Sequence, residues 1–172
     1  MKRFAGWLML AAVVVALDQW SKLAILARFA EYEIRPVTEY FNLVLVYNTG
    51  AAFSLFADQP GWQRWFFVIL AAVICAWLVR MLWQHRAEVL QPAAFALVIG
   101  GAIGNNFIDR IAYGKVVDFL DVHVCHYEWA GFLGQSCRWP AFNLADSAIC
   151  LGVILMLIAQ FRMGRRPEAA HD

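Results

Sequence analysis

Four long apolar segments dominate the sequence and constrain its fold more than any other feature. They predict helices at about 4–28, 62–84, 89–110 and 141–162. Each segment is close to the ~20 residues that a helix needs to cross a bilayer core of ~30 Å. Because backbone polar groups in lipid must be satisfied within the segment, we expect each segment to span the membrane as a helix.

The composition agrees with a membrane protein. The chain is 62% hydrophobic and 16% charged, whereas soluble domains are about 45–50% apolar and about 25% charged. We therefore predict an all-α membrane protein with four transmembrane helices, folded as a single domain over 1–172. The net charge of +1 argues against a nucleic-acid partner. The first apolar run imitates a signal peptide, but no small-x-small cleavage site follows it, so we expect it to be retained.

Lysine and arginine residues near the segment ends predict the orientation. One side holds them densely in short segments: Lys2, Arg3, Arg80, Arg86, Arg162, Arg165 and Arg166. The other side holds them spread over long loops at about 29–64 and 110–140: Arg28, Arg35, Arg64, Arg110, Lys115 and Arg138. We expect the denser side to face the cytoplasm, which places both termini inside and both long loops outside.

The first outer loop carries the signal of a β-strand. Residues 41–47 are rich in Val, Leu and aromatic residues. Asn48, Thr49 and Gly50 follow as a turn signal. We expect a small extramembrane β-sheet here. In the third apolar segment, Gly100 and Gly104 form a small-xxx-small face that predicts close helix packing.

Polar residues within the apolar segments gather toward one side of the membrane. They are Asp18, Lys22, Asn105, Asn106, Asp109, Arg110 and Asp146. Because successive helices alternate in direction, all of these residues map to the outer half. A charge in the bilayer centre costs about 2.5–3.5 kcal/mol and is usually kept for function. We expect one polar pocket that opens to the outside.

Two carboxylates, Asp118 and Asp146, flank the last two segments at the same side. If they face each other, they cannot both ionise readily and can share one proton. The ionised member then deprotonates a water, and the protonated member polarises a peptide carbonyl, which is the chemistry of an aspartic peptidase. The alternative is that each aspartate caps a helix or pairs with an arginine. Asp109 and Asp121 compete for the same role.

Five ordered motifs relate the sequence to a known family. They are DQWSK at 18–22, YNTGAAFS at 47–54, NFIDR at 106–110, VVDF at 116–119 and FNLADS at 142–147. With these motifs the chain resembles lipoprotein signal peptidase, or signal peptidase II, of bacteria. The resemblance implies a membrane aspartic endopeptidase that removes the signal peptide of prolipoproteins, just before a cysteine that carries diacylglycerol.

The resemblance also implies a location and partners. It places the protein in the bacterial cytoplasmic (inner) membrane, with the active site near the periplasmic face. The implied partners are prolipoprotein substrates, membrane lipids and inhibitory cyclic peptides of the globomycin type. We expect no cofactor and no metal.

Carried over motif by motif, the resemblance implies Asp118 and Asp146 as the catalytic pair. The residues implied to bind substrate or support the pair are Asn48, Asn106, Arg110, Asn143, Asp18 and Lys22. Asp18 and Lys22 are spaced to form an i,i+4 ion pair. The family usually has Gly-Asn, two apolar residues and Asp-Arg, whereas this chain has GNNFIDR. We align Asn106 by its spacing to Asp109, and Asn105 is the alternative.

The second outer loop is longer than usual in the family and contains Cys125 and Cys137. Outside the cytoplasm disulfides persist, so we predict that these cysteines are bonded. A zinc site with His123 and His126 is a weaker alternative, because the spacing does not match common zinc motifs. Two other functions stay open from the residues alone. Intramembrane charges also mark proton-coupled transporters, and a membrane scaffold would not need the two aspartates.

Overall fold

The computed structural model describes residues 1–50, 59–123 and 138–164. In chain order the elements are α1 (Lys2–Leu26), β1 (Ile34–Thr38), β2 (Phe41–Asn48), α2 (Trp62–Gln84), α3 (Leu90–Ala102), a π-helical segment (Ile103–Asp109), α4 (Arg110–Tyr113), β3 (Val116–Val122) and α5 (Leu144–Gly164). The protein is therefore mostly helical, with a small sheet.

Within the described ranges, three helices are long and apolar enough to cross a membrane. They are α1, α2 and the part Leu144–Arg162 of α5. These agree with the predicted segments 4–28, 62–84 and 141–162 to within a few residues. The predicted segment 89–110 is also helical, but it is built from three pieces, namely α3, the π-helical segment and α4. The count of four spans therefore stays a prediction.

Helix α3 lies at the centre and packs against α1, α2 and α5. Its glycines permit close approach, as the small-residue face predicts. A Cβ atom on Gly100 would lie 2.7 Å from the carbonyl oxygen of Ala11 and 2.8 Å from the Cβ of Val14, both on α1. Side chains of α3 are buried almost throughout, whereas those of α2 such as Ile69, Val73 and Trp77 are exposed. An exposed apolar face of this kind suits contact with lipid.

The sheet has the strand order β1-β2-β3, and both pairings are antiparallel. Strand β2 confirms the strand predicted over 41–47. Strands β1 and β3 were not predicted. Asp118 lies in β3, opposite Val46, within the predicted outer segment 110–140. Val-Val and Phe-Leu around Asp118 favour a strand. The sheet packs on the end of α1 through Ile25, Leu45 and Phe119.

A short segment after the second gap runs along the free edge of β3. The carbonyl of Phe142 accepts the N–H groups of Phe119 and Leu120 at 3.0 and 2.8 Å. The N–H of Trp139 donates to the carbonyl of Val122 at 2.9 Å. This edge pairing leads the chain directly into α5. Residues Cys125, His126 and Cys137 lie outside the described residues, so their pairing stays a prediction.

Candidate active site

Asp118 and Asp146 line the same cavity, which has a volume of about 820 Å³. Asp118 comes from the middle of β3 and is 3% exposed. Asp146 comes from the first turn of α5. The fold thus brings together two carboxylates that are far apart in sequence and lie on different kinds of element.

Asn143, the residue before α5, joins the two aspartates. Its side-chain Nδ2 donates to Oδ1 of Asp118 at 2.8 Å, and its backbone N–H donates to Oδ2 of Asp146 at 3.2 Å. In return, its Oδ1 accepts the backbone N–H of Asp146 at 2.9 Å. The reciprocal bonds between Asn143 and Asp146 form a capping box at the start of α5.

The capping alternative for Asp146 is therefore correct in part. Only one carboxylate oxygen, Oδ2, serves the cap, while Oδ1 accepts a hydrogen bond from Nδ2 of Asn105 at 2.8 Å. Capping and membership of a carboxylate pair are compatible, because the two oxygens point to different partners. No ion pair with an arginine joins either aspartate among the described residues.

The two candidate asparagines have different partners. Asn105 contacts Asp146, and its Oδ1 accepts hydrogen bonds from Nζ of Lys22 at 2.7 Å and from Nδ2 of Asn143 at 3.1 Å. Asn106 donates to the carbonyl of Ala102 and accepts from Nε of Arg110 at 3.2 Å. Both asparagines line the cavity. Of the two, Asn105 hydrogen-bonds Asp146 and Asn143, although Asn106 is the one that the alignment favours.

A buried charge cluster stands behind Asn105. Nζ of Lys22 lies 2.7 Å from Asp18 and 2.8 Å from Asp109, so the predicted Asp18–Lys22 ion pair is present and has a second acid. Lys22 is 2% exposed and both acids are fully buried. Asp18 also accepts the backbone N–H of Ala145 at 3.0 Å, within the first turn of α5. With Asn105, the ammonium donates to three acceptors, which is its full complement.

The π-helical segment places these groups. The N–H of Arg110 bonds the carbonyl of Asn105, five residues back, as in a π-helix. A π-helical turn is wider than an α-helical turn and holds about one more residue. Asn105 and Asp109 both reach Lys22 from this segment. Turns of this kind are frequent at functional sites.

Arg110 hydrogen-bonds the backbone of the turn that follows β2. Its two terminal nitrogens donate to the carbonyls of Thr49 and Gly50 at 3.1 and 2.5 Å. Its guanidinium also lies 4.6 Å from the centre of the Phe67 ring. The same turn carries Asn48, whose Oδ1 accepts the N–H of Gly50 at 2.9 Å and whose side chain hydrogen-bonds Asp118. Arg110 therefore holds the backbone beside the aspartate pair.

Burial raises the pKa of Asp118 from 3.8 to about 8, and the nearby charge of Asp146 adds to this rise. The positive charge of Lys22 and the hydrogen bonds from Asn48 and Asn143 oppose it. Of these causes desolvation has the largest effect on the pKa of Asp118, because burial removes the water that stabilises the charged carboxylate. Burial therefore favours the protonated form of Asp118.

The walls of the cavity are largely apolar. They include Val46, Phe67, Trp139, Phe142, Ile149 and Cys150. Trp139 is 46% exposed at the rim, and Phe67 and Ile149 belong to α2 and α5. A few polar groups at the base of an apolar cleft are typical of a ligand site. Residues 1–50, 59–123 and 138–164 hold no cluster of three or more His, Cys, Asp or Glu side chains placed to bind a metal.

A family model described as Signal peptidase (SPase) II matches residues 10–162. The chain belongs to the signal peptidase II family. A lipoprotein signal peptidase of Azoarcus sp. (strain BH72) is 57% identical over 167 residues, covering 96% of this chain and 89% of the relative. One from Cupriavidus necator is 49% identical over 160 residues, covering 93% and 85%. Membership confirms the resemblance seen in the sequence and makes the chain a protease.

Two solved structures of bacterial membrane enzymes resemble this signal peptidase over most of its length. A bacterial membrane enzyme solved at 2.3 Å has a TM-score of 0.80, 28% identity and coverage of 98% of this chain and 94% of its own. A second, solved at 1.9 Å, has a TM-score of 0.69, 30% identity and coverage of 91% and 92%. The chain is a bacterial membrane protein with this overall fold.

Several residues of the site in this signal peptidase were not among the predicted site residues. Gln19 donates to Asp18 and to Asp109 at 3.1 and 2.8 Å, and so ties the charge cluster together. Its place inside the DQWSK motif was the available signal. Trp139 and Phe142 line the cavity, and only their closeness to the FNLADS motif could have indicated this.

Proposed function

We propose that this signal peptidase is an aspartic endopeptidase that removes signal peptides from diacylglyceryl-modified bacterial prolipoproteins, cleaving before the lipidated cysteine. The single observation that carries the proposal is the convergence of Asp118 and Asp146 on one cavity, with Asn143 hydrogen-bonded to both. Membership of the signal peptidase II family supports the substrate class.

The proposed reaction uses the two carboxyl groups and one water. The ionised aspartate takes a proton from the water as its oxygen attacks the scissile carbonyl carbon, while the protonated aspartate hydrogen-bonds the carbonyl oxygen. The tetrahedral intermediate then collapses, the C–N bond breaks, and a proton passes to the leaving amine. The products are a carboxylate on the signal peptide and a free amino group on the cysteine.

The proposed substrate fits the character of the cavity. Val46 and Phe142 give apolar surface beside Asp118, while Phe67 and Ile149 extend it along two helices. Acyl chains on the substrate cysteine need apolar surface of this kind next to the polar scissile bond. Asn48, Asn106 and Arg110 line the same cavity and offer donors for the substrate backbone or for the pair itself.

We propose a location to match. The protein lies in the bacterial inner membrane with both termini in the cytoplasm and the carboxylate pair near the periplasmic face, as the lysine and arginine distribution predicts. Membrane lipids and globomycin-type cyclic peptides are proposed as further partners of the cavity. The reaction as written requires no cofactor.

The test is cleavage of a diacylglyceryl-modified precursor peptide by the purified protein in detergent, followed by mass spectrometry. Asp118→Asn and Asp146→Asn should each lower the rate by at least about a thousandfold. Asp121→Asn is the matched control, since Asp121 is buried on the same strand but bonds Asn42 and Arg138 instead. It should stay within a few-fold of wild type. Cleavage by both site variants at the control rate would overturn the proposal.

A further inference from the structure

We infer that Asp18 and Asp109 are positioning residues for the aspartate pair. Each of these buried acids accepts the backbone N–H of the residue directly before one aspartate of the pair. Neither acid is among the described residues that line the cavity, so both act on the pair rather than on the substrate. The inference rests on the proposed function and deepens it, because it assigns the residues that hold the reacting groups in place.

Asp109 holds the strand that carries Asp118. Its Oδ2 accepts the backbone N–H of Val117 at 3.1 Å. Val117 is fully buried, and its carbonyl accepts a hydrogen bond from Nδ2 of Asn143 at 3.1 Å. Both backbone polar groups of the residue before Asp118 are therefore bonded to buried side chains. These bonds restrict movement of the backbone that carries the Asp118 carboxyl group.

Asp18 holds the helix that carries Asp146. Ala145 is the second residue of α5, so its N–H has no partner within the helix. Oδ1 of Asp18, on α1, accepts this N–H at 3.0 Å. A carboxylate in this place also suits the positive end of the helix dipole. The contact fixes the first turn of α5 to α1, and Asp146 lies in that turn.

One cation and one amide join the two positioning acids. Nζ of Lys22 lies 2.7 Å from Oδ2 of Asp18 and 2.8 Å from Oδ2 of Asp109. Nε2 of Gln19 donates to the same two carboxylates, at 3.1 and 2.8 Å. Asp18, Gln19 and Lys22 belong to α1, whereas Asp109 ends the π-helical segment. Strand β3 and helix α5 are therefore both held to one short stretch of α1.

The placement of the two carboxyl groups matters because both act on one water and one peptide bond in the proposed reaction. A misplacement of a reacting group by about 1 Å can lower a rate by about a hundredfold. Asn143 joins the two aspartates directly. The charge cluster adds a second connection between β3 and α5, through the N–H groups of Val117 and Ala145.

The oxygens involved predict different responses to amide substitution at the two acids. Oδ2 of Asp109 accepts from both Val117 and Lys22, so the single oxygen of Asp109→Asn can keep both contacts. Asp18 divides its contacts, since Oδ1 accepts from Ala145 and Oδ2 accepts from Lys22. The single oxygen of Asp18→Asn keeps only one of them. A role that depended on negative charge alone would make the two amide variants equal.

The experiment measures kcat and KM for cleavage of the diacylglyceryl-modified precursor peptide by full-length variants in detergent. Asp18→Ala, Asp18→Asn and Asp109→Ala should each lower kcat by about 10- to 100-fold and change KM little, because the reacting groups are misplaced while the cavity walls are intact. Asp109→Asn should restore most of kcat. Leu82→Ala truncates a fully buried side chain near the end of α2 and controls for lost stability, so it should keep kcat.

Two further variants test whether Asp18 acts through the pair. In the background of Asp146→Asn, Asp18→Ala should cause no further loss of rate, because the group that it positions is already absent. Incorporation of lactic acid in place of Ala145 replaces the N–H with an ester oxygen and leaves every side chain intact. This variant should lower kcat by about tenfold or more, and it decides if the variants of Asp18 do not fold.

An unchanged kcat in the ester variant, or equal kcat for Asp109→Asn and Asp109→Ala, would overturn the inference. So would a fall in kcat for Leu82→Ala as large as that for Asp109→Ala, because the loss would then follow stability rather than position. Full activity of Asp118→Asn and Asp146→Asn would instead overturn the proposed function, so the two failures are distinguishable.

Discussion

Asn143 and Asp146 exchange two hydrogen bonds across the first turn of α5, backbone N–H to side-chain oxygen in both directions. The cap that starts this helix is therefore also part of the candidate active site. The side-chain Nδ2 of Asn143 also donates to Asp118, to Oδ1 of Asn105 and to the carbonyl of Val117. One residue at the start of α5 therefore contacts both carboxylates.

Replacing Asn143 separates these two roles. Asn143→Asp keeps an acceptor for the N–H of Asp146 but cannot donate to Asp118, and it adds a carboxylate beside the pair. Asn143→Ala loses both functions. We expect both variants to lose at least about a hundredfold in cleavage, while only Asn143→Ala loses the cap, worth about 1 kcal/mol. Cleavage assays and thermal unfolding in detergent measure the two effects. Normal cleavage by Asn143→Asp would contradict the bridging role.

Lys22→Met should destabilise the protein strongly. It removes the only cation bonded to Asp18 and Asp109 among the described residues and leaves two carboxylates buried together. Breaking a buried ion pair by removing one partner costs about 3–5 kcal/mol. Unfolding in detergent measures the loss, and Lys2→Met, at an exposed position near the start of α1, is the control that should change little. Equal stability of the two variants would contradict a structural role for the cluster.

The close packing of α3 on α1 predicts opposite effects on stability for alanine at two glycine positions, Gly100 and Gly6. Gly100→Ala would place a methyl group 2.7 Å from the carbonyl oxygen of Ala11, too close for the two helices to keep their separation. We expect a destabilisation of about 1–3 kcal/mol. Gly6→Ala is the matched control, because nothing lies within 4 Å of the added group, and alanine favours helix over glycine by up to about 1 kcal/mol. A stabilised Gly100→Ala variant would show that the helices are not packed this closely.

Much of the helical part could be predicted from the sequence, because lipid solvation forces long apolar segments into helices whatever their partners. The length and hydrophobicity of segments 4–28 and 62–84 were sufficient to predict α1 and α2. Strand β3 was missed, since residues 116–122 sit between two apolar segments and their pairing with β2 is a contact between distant parts of the chain. A single sequence contains no direct record of that pairing.

The candidate site was predicted as a set of residues but not as a network. The motifs supplied Asp118, Asp146, Asn143 and Lys22, because each is a polar residue in an apolar setting. Their connections depend on a π-helical turn, and the two adjacent asparagines of GNNFIDR leave the choice between Asn105 and Asn106 open until the helix geometry is known. Spacing arguments assume an α-helix and fail where the turn is wider.

The pKa of Asp118 makes the pH dependence of stability predictable. The folded protein keeps a proton on Asp118 up to about pH 8, whereas the unfolded chain releases it near 3.8. Between these values the folded state binds more protons, so the free energy of unfolding should fall as pH rises. Asp118→Asn should flatten this slope. Unfolding in detergent at a series of pH values checks it, and a slope that is unchanged in the variant would contradict the raised pKa.

The most direct test of the central claim is the single-turnover cleavage rate of Asp118→Asn, Asp146→Asn and the double variant on one lipidated precursor. If the two aspartates act as one unit, either single substitution abolishes the unit, and the double variant is no slower than the single variants. We predict the same residual rate for all three. A single variant with a rate near wild type, or losses that multiply in the double variant, would contradict the account.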